Sequence, residues 1–343
     1  MSATGGPVSV VVTVRNEAGS IERLLDSLAE QSRRPDEVVV SDGGSSDGTL
    51  ALLEERAASA ELPMTVLSVP GANISAGRNA AIAAASGPII ACTDAGVTLP
   101  TGWLDAITEP FGEGARVVSG FFESDPRGPF ETALGATTLP TAGEIDPDRF
   151  LPSSRSVAFL RSAWQAADGY PEWLDYGEDL VFDTRVLAAA GPAAFAPDAV
   201  VMFRPRRSIA AFARQYYLYA RGDGKANLWP LRHAARYATY LALVPAVLVL
   251  AVAHSPLWLL VLVAGAAREL ATPYRRLVRQ WRSLSSIERL QAALWVPVIR
   301  VTGDVFKMVG YPVGVAWRLR SRPPAWRPAA GRGGDDTGVK SAG

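Results

Sequence analysis

At 343 residues the chain has room for one large α/β domain with an appendage or for two domains, and an apolar content of 48% calls for a search for membrane segments. One cysteine, Cys92, excludes a disulfide within the chain, and two histidines, His233 and His254, exclude a histidine zinc site. The formal charge of zero hides a division: residues 1–200 carry 28 acids against 12 bases (−16), and residues 201–343 carry 6 against 22 (+16). Such halves meet different partners, and the basic one, with its apolar runs, points to anionic lipid and not to nucleic acid.

Met1–Pro7 is short and polar and Val8–Val14 is too brief for a signal core, so no secretory signal is expected and the first half is expected in the cytoplasm. Val8–Val14 is a continuous apolar run, the mark of a strand covered on both faces. Arg15–Glu17 ends it, and Ile21, Leu24, Leu25 and Leu28 give Ser20–Gln31 a helical period. A strand at Glu37–Val40, a helix at Thr49–Ala60, a strand at Met64–Val69, a helix at Gly77–Ala85 and a strand at Pro88–Thr93 follow. This β-α-β-α-β-α-β order predicts an α/β fold with a doubly wound, mainly parallel sheet, which presents ligand sites at the carboxyl ends of its strands.

Candidate residues stand at those ends. Asp42 opens the turn SDGGSSDG, where it either accepts hydrogen bonds from a base or ribose or, with Asp47, builds turn and cap. Asp94 ends the Pro88–Thr93 strand, placed for a sugar nucleotide or for a divalent metal on its diphosphate. Arg78 offers an always-charged fork to a diphosphate or base. In GYPEWLDYGEDLVFDTR, residues 169–185, the acids Glu178 and Asp179 start a helix with Leu180, Val181, Val186 and Leu187 on one side. Acids suit a first helical turn, yet Tyr170, Trp173 and Tyr176 precede them as aromatic walls for a sugar or lipid, and Asp179 is placed as a general base. Pro126–Pro152 reads as a Pro/Thr/Gly-rich loop, after which Ser153, Ser154 and Arg155 either touch acceptor or diphosphate or simply enter a Ser156–Leu160 strand.

The segments VSVVVTVRNE, VVVSDGGSSDGT, AGRNAAIAAASGPIIACTDAG and GYPEWLDYGEDLVFDTR, across residues 8–205, together resemble the family-2 glycosyltransferases of GT-A fold, in the membrane-associated bacterial type. The resemblance implies a nucleotide-diphosphate sugar as donor, a divalent metal (Mg²⁺ or Mn²⁺), and hexosyl transfer with inversion at the anomeric centre. It implies that Thr13, Arg15 and Glu17 line the nucleotide pocket, that Asp42 reads the base, that Arg78 helps hold the donor, that Asp94 lies at metal and ribose, and that Asp179 is the base. Asp94-Ala95-Gly96 departs from the family's usual Asp-x-Asp, so either Asp94, the donor phosphates and waters complete the metal shell, or metal dependence is weak, or activity is lost. The last case defines the alternative: a degenerate membrane-anchored scaffold that only binds nucleotide sugar.

Beyond Phe203 the sequence turns basic and apolar. Ile209, Phe212, Ala213, Tyr216, Tyr217 and Ala220 form a stripe between arginines, predicting an amphipathic helix in the headgroup plane. Gln215 and Arg221 resemble the acceptor-side pair of the family's Gln-x-x-x-basic helix. Ala238–Ala267 is apolar but for His254-Ser255-Pro256, and arginines flank it on both sides, which predicts a hairpin of two short membrane helices with both ends inside. Ile287–Arg320, interrupted by Arg300, Asp304 and Lys307, predicts one or two interfacial helices with Arg300 and Asp304 paired. The expected organisation is a catalytic domain at 1–205, an interfacial helix at 206–235, a membrane domain at 236–320 and a disordered tail at 321–343. The expected function is sugar transfer to a membrane-associated acceptor, a lipid-linked or cell-envelope glycan, on the cytoplasmic side of the inner membrane.

Overall fold

The computed structural model describes residues 6–327. The valines that predict a two-face-covered strand do form one: β1 (Val8–Val14) is shielded on both sides, with Val8, Val10, Val11 and Val12 all buried. In α1 (Ile21–Ala29), Ile21, Leu24, Leu25 and Leu28 fall on one face and are fully buried. There follow β2 (Glu37–Asp42), α2 (Thr49–Ala58), β3 (Met64–Ser68), α3 (Ile74–Ala84) and β4 (Ile89–Asp94). α3 starts three residues before the expected Gly77, because Asn73 caps it by accepting from the Ala76 amide at 2.9 Å.

The chain then runs through β5 (Val97–Thr98), α4 (Trp103–Thr108), β6 (Val117–Ser124), α5 (Pro129–Thr138), β7 (Val157–Leu160), α6 (Arg161–Ala166), α7 (Glu178–Ala190) and β8 (Ala194–Phe203). The eight strands form one sheet in the order β3-β2-β1-β4-β7-β6-β8-β5. The first four are parallel, as the α/β alternation requires. β7 then pairs antiparallel with both β4 and β6, β8 runs parallel to β6, and β5 antiparallel to β8, so the sheet is mixed. Val11, Val39, Ile90, Cys92, Phe159 and Phe182 belong to its core.

The chain divides into two compact units. Among the described residues the first holds 6–125, 141–203 and 324–327, the second 126–140 and 204–323. Residues 126–140, within the stretch expected as 1–205, belong to the second unit, and Pro129–Thr138 within the expected loop is the helix α5. Proline at its first position and Glu131 in its first turn start it. Glu131, nearly buried, takes a forked ion pair from Arg204, with Nη2 at 2.7 Å and Nε at 2.9 Å, and accepts the Arg127 amide at 2.7 Å.

In the second unit α8 (Ile209–Ala226) carries the expected stripe, but Phe212, Ala213, Tyr216 and Ala220 are buried among helices and do not form an open lipid-facing surface. α9 (Pro230–Ala238) passes through a π-helical turn into α10 (Val244–Ala253), and α11 (Leu259–Arg279) follows the break at His254 and Ser255. The continuous segments Pro230–Ala253 and Pro256–Arg279 are each 24 residues, longer than the expected short arms and, by length and composition, sufficient to cross a membrane. Of the one or two helices expected here, residues Ser286–Ser321 form one, α12, of 36 residues, opened by a Ser285–Glu288 capping box. Its buried line is Ala292, Val296, Ile299, Gly303, Gly310 and Gly314, so tertiary packing carries it past Pro297 and Pro312. A Cβ on Gly310 would meet Tyr217 O at 2.2 Å and one on Gly314 would meet Arg221 O at 2.0 Å, so α8 and α12 touch backbone to backbone. Arg300 and Asp304 pair as expected at 3.5 Å, and Asp304 also accepts from Arg236 at 2.7 Å and from the Tyr240 hydroxyl at 3.1 Å. The segments 1–5 and 328–343, with most of the expected tail, lie outside the described residues.

Candidate active site

Register alone assembles the first part of the site. Thr13 on β1 is opposite Ser41 on β2 and Asp94 on β4, and Val14 is opposite Asp42. Three candidate side chains thus share the carboxyl edge of adjacent parallel strands. Gly77 lets the start of α3 close over this edge, since a Cβ there would lie 3.2 Å from Ser41 Oγ and 3.4 Å from a Thr13 methyl.

The loops after β1 and β2 are laced together. Asn16, at φ +58°, donates its amide to Ser45 Oγ at 2.8 Å and accepts the Ser46 amide at 2.8 Å, and the Glu17 amide reaches Thr49 Oγ1 at 2.9 Å. Arg15 is exposed, while Thr13 and Glu17 are half-buried, and the Glu17 carboxylate accepts from the Ser20 hydroxyl. Asp42 is buried, with one oxygen accepting the Gly44 and Ser45 amides at 3.0 Å and the other accepting the Ser45 hydroxyl. Of its two readings, turn-building is the one these contacts realise.

A second group gathers on Asp94. Arg78, fully buried on α3, sends Nη2 to Asp94 Oδ1 at 3.2 Å and holds Nη1 3.6 Å from Glu178 Oε1, while its guanidinium lies 4.8 Å over the Tyr170 ring. Arg155 faces the other oxygen of Asp94, with Nε at 3.6 Å, and its guanidinium lies over the rings of Phe203 (4.9 Å) and Phe122 (5.7 Å). Glu178 and Asp179 open α7 behind Gly177, a glycine at φ +76°, and the Leu180 amide donates to Asp179 at 2.9 Å. Burial, with the neighbouring Asp179 adding to it, pushes the Glu178 carboxyl up to about 8; burial likewise raises Asp179, against the pull of Arg78.

Of the acceptor-side candidates, Ser154 is buried and hydrogen-bonds the Tyr170 hydroxyl at 3.0 Å, Ser153 is in an isolated bridge with Ser156, and Trp173 and Tyr176 are half-buried. Tyr170 is not an aromatic wall: it is 2% exposed and stacked 4.0 Å from Phe182. Gln215, which donates to the Tyr219 hydroxyl at 2.6 Å, and Arg221 belong to the second unit.

Two contributors had escaped the sequence reading. Asn79 donates to Tyr170 O and Glu172 Oε1, both at 2.9 Å, and accepts the Tyr170 amide at 2.8 Å, tying α3 to the loop that delivers Glu178. Its signal was an amide one residue after Arg78 in a helix interior, where asparagine has poor propensity. Asp183 is wholly buried, both its oxygens lack a hydrogen bond, and burial followed by Asp179 raises its carboxyl well above the usual range. It stands four residues after Asp179, on the face where Val181, Phe182 and Val186, and not Leu180 or Leu187, are buried.

These residues do not compose a divalent-cation site. Asp94 has an arginine at each oxygen, position 96 is glycine, and among the described residues no group of three His, Cys, Asp or Glu side chains is placed to hold a metal ion. With both oxygens facing guanidinium groups, Asp94 offers a divalent cation a largely neutralised carboxylate and two repelling charges.

The glycosyl transferase family 2 model matches residues 9–158. The glycosyltransferase AglE of Haloferax volcanii is 26% identical over 242 residues, covering 67% of this chain and 77% of that protein. Among solved structures, the mannosyltransferase PcManGT of Pyrobaculum calidifontis, in complex with GDP-Man and Mn²⁺, matches at a TM-score of 0.58 and 24% identity, over 86% of this chain and 88% of that one. GalNAc-T7 with UDP, GalNAc and Mn²⁺ matches at 0.51 and 15%, over 66% and 48%. At these identities the structural likeness is one of fold.

Proposed function

We propose that residues 9–158, which the glycosyl transferase family 2 model matches, are a glycosyltransferase domain, and that the chain moves a sugar from a nucleotide-diphosphate donor to a membrane-associated acceptor, with inversion and with Asp179 as the base. The observation that carries this reading is the chain of contacts Asp94–Arg78–Glu178 with Asp179 beside it, which joins the carboxyl edge of the sheet to the first turn of α7. Asp179 removes the proton of the acceptor hydroxyl, and the oxygen attacks the anomeric carbon. The bond from that carbon to the diphosphate breaks with its electron pair on phosphate oxygen. Burial raises the Asp179 carboxyl above its ordinary range, which makes it a stronger base. Thr13, Arg15, Glu17, Asp42, Arg78 and Asp94 hold the donor, with Asp42 shaping the nucleotide loop through its own turn. Ser153, Ser154, Trp173 and Tyr176 stand on the acceptor side.

The segments Pro230–Ala253 and Pro256–Arg279 support anchoring as a membrane hairpin, with the catalytic unit on the cytoplasmic side of the inner membrane and an acceptor that is a lipid-linked or envelope glycan. No step of this mechanism is routed through a metal, because a guanidinium group faces each oxygen of Asp94. The test is turnover of a panel of nucleotide sugars by wild type and Asp179→Asn. Wild-type turnover falling at least a hundredfold in the variant, with donor affinity kept, supports Asp179 as the base. Donor binding without turnover in either protein favours the scaffold reading.

A further inference from the structure

We propose that Arg78 and Arg155 together carry the charge of the donor's diphosphate at this site, in the role a divalent cation would otherwise fill. The proposal rests on the nucleotide-sugar reading above and adds to it how the leaving group is stabilised.

The geometry is that of two guanidinium groups on either side of a single carboxylate. Arg78 reaches Asp94 Oδ1 at 3.2 Å and Arg155 reaches Oδ2 at 3.6 Å, so a cation at Asp94 would be flanked by two positive charges. No second acid follows Asp94, since positions 95 and 96 are alanine and glycine. Both guanidiniums are braced where they stand. Arg78 is buried and lies over the Tyr170 ring, and Arg155 lies over Phe203 and Phe122. Arg78 also keeps a donor in reserve: its Nη1 is buried, 3.6 Å from Glu178, and makes no hydrogen bond. A spare, buried and permanently charged donor next to a partly exposed carboxylate is a receptor for an anion with several oxygens.

Asp94, 31% exposed, holds Arg155 beside it at the rim and buried Arg78 beneath it until such an anion arrives. The diphosphate then takes the donors that Asp94 occupies. As the anomeric carbon–oxygen bond breaks, its electron pair settles on the outer phosphate, and the added negative charge falls between two cations that cannot lose their protons.

Isothermal titration of wild type with UDP, GDP, dTDP and their parent nucleosides, in EDTA and again in Mn²⁺, tests this. The diphosphate that binds is expected to have an EDTA affinity within about threefold of its Mn²⁺ affinity. Arg155→Gln is expected to weaken that diphosphate about tenfold or more in EDTA while the parent nucleoside is unchanged. Arg155→Lys, which keeps the charge but not the fork, is expected to fall between. Thermal melts of both variants confirm folding, and the wild-type comparison needs no variant. Binding that drops tenfold or more in EDTA and returns with Mn²⁺ overturns the arginine pair and leaves the transferase reading standing. An unchanged diphosphate affinity in Arg155→Gln also overturns the pair. Failure of every diphosphate and nucleoside to bind, with or without Mn²⁺, overturns the transferase reading and the pair with it.

Discussion

Glu178 shows what a single buried carboxyl does to the whole protein's response to pH. Its acid form is favoured in the fold, where burial and then Asp179 push it from 4.5 up to about 8. Such a group contributes stability fully below its unfolded value and loses it as pH rises through about 8. Wild type should therefore lose melting temperature relative to Glu178→Gln, neutral at every pH, between pH 5 and 9. A difference that moves the other way would mean that Arg78 holds Glu178 ionised. At this scale the sequence was informative wherever a charge stood at an element's end: Asp94 closing β4, Glu178 and Asp179 opening α7. It was silent where a role depends on a distant partner. Nothing near Asn79 announces that its carboxamide will bind a loop about 90 residues away, and nothing near Tyr170 announces that Phe182 will cover it.

Elements built from local pattern were legible, and those built from long-range pairing were not. β1 to β4 announced themselves through valine runs and regular alternation, whereas β6 and β8 find each other across some 80 residues and bring antiparallel neighbours into the sheet. α5 was hidden because its proline and glycine neighbours read as loop, though proline at the first position starts a helix well. α8 and α12 have an apolar stripe each, and a stripe does not say whether lipid or another helix will cover it. Their backbone contact gives a sharp prediction. Gly314→Ala places a methyl 2.0 Å from Arg221 O and should cost roughly 1–3 kcal/mol or more, read as a lower melting temperature of the detergent-extracted protein. Gly265→Ala on α11, where a methyl meets nothing within 4 Å, should be neutral or stabilise by up to about 1 kcal/mol.

Neither unit is a single continuous stretch of the chain. Because α5 buries Ala133, Leu134 and Ala136 among helices that come later in sequence, deleting residues 206–343 strips it of its partners. The truncated protein should aggregate or melt at least several degrees lower, and further deletion of 126–140 with a short linker should restore soluble behaviour, as size-exclusion chromatography would report. Charge asymmetry pointed to two parts, but only three-dimensional packing could show that, among the described residues, the chain passes between them four times. A last consequence comes from Cys92, which sits at zero exposure in the sheet with its thiol pushed up to about 12 by burial. To a maleimide the native protein is a blank sheet. Ser255→Cys, at the turn between Pro230–Ala253 and Pro256–Arg279, would then be the only reporter in the molecule. If the hairpin crosses the bilayer, an impermeant reagent added outside intact cells' inner membrane, in spheroplasts, should label it. Labelling only after the membrane is broken would put the turn on the inner side.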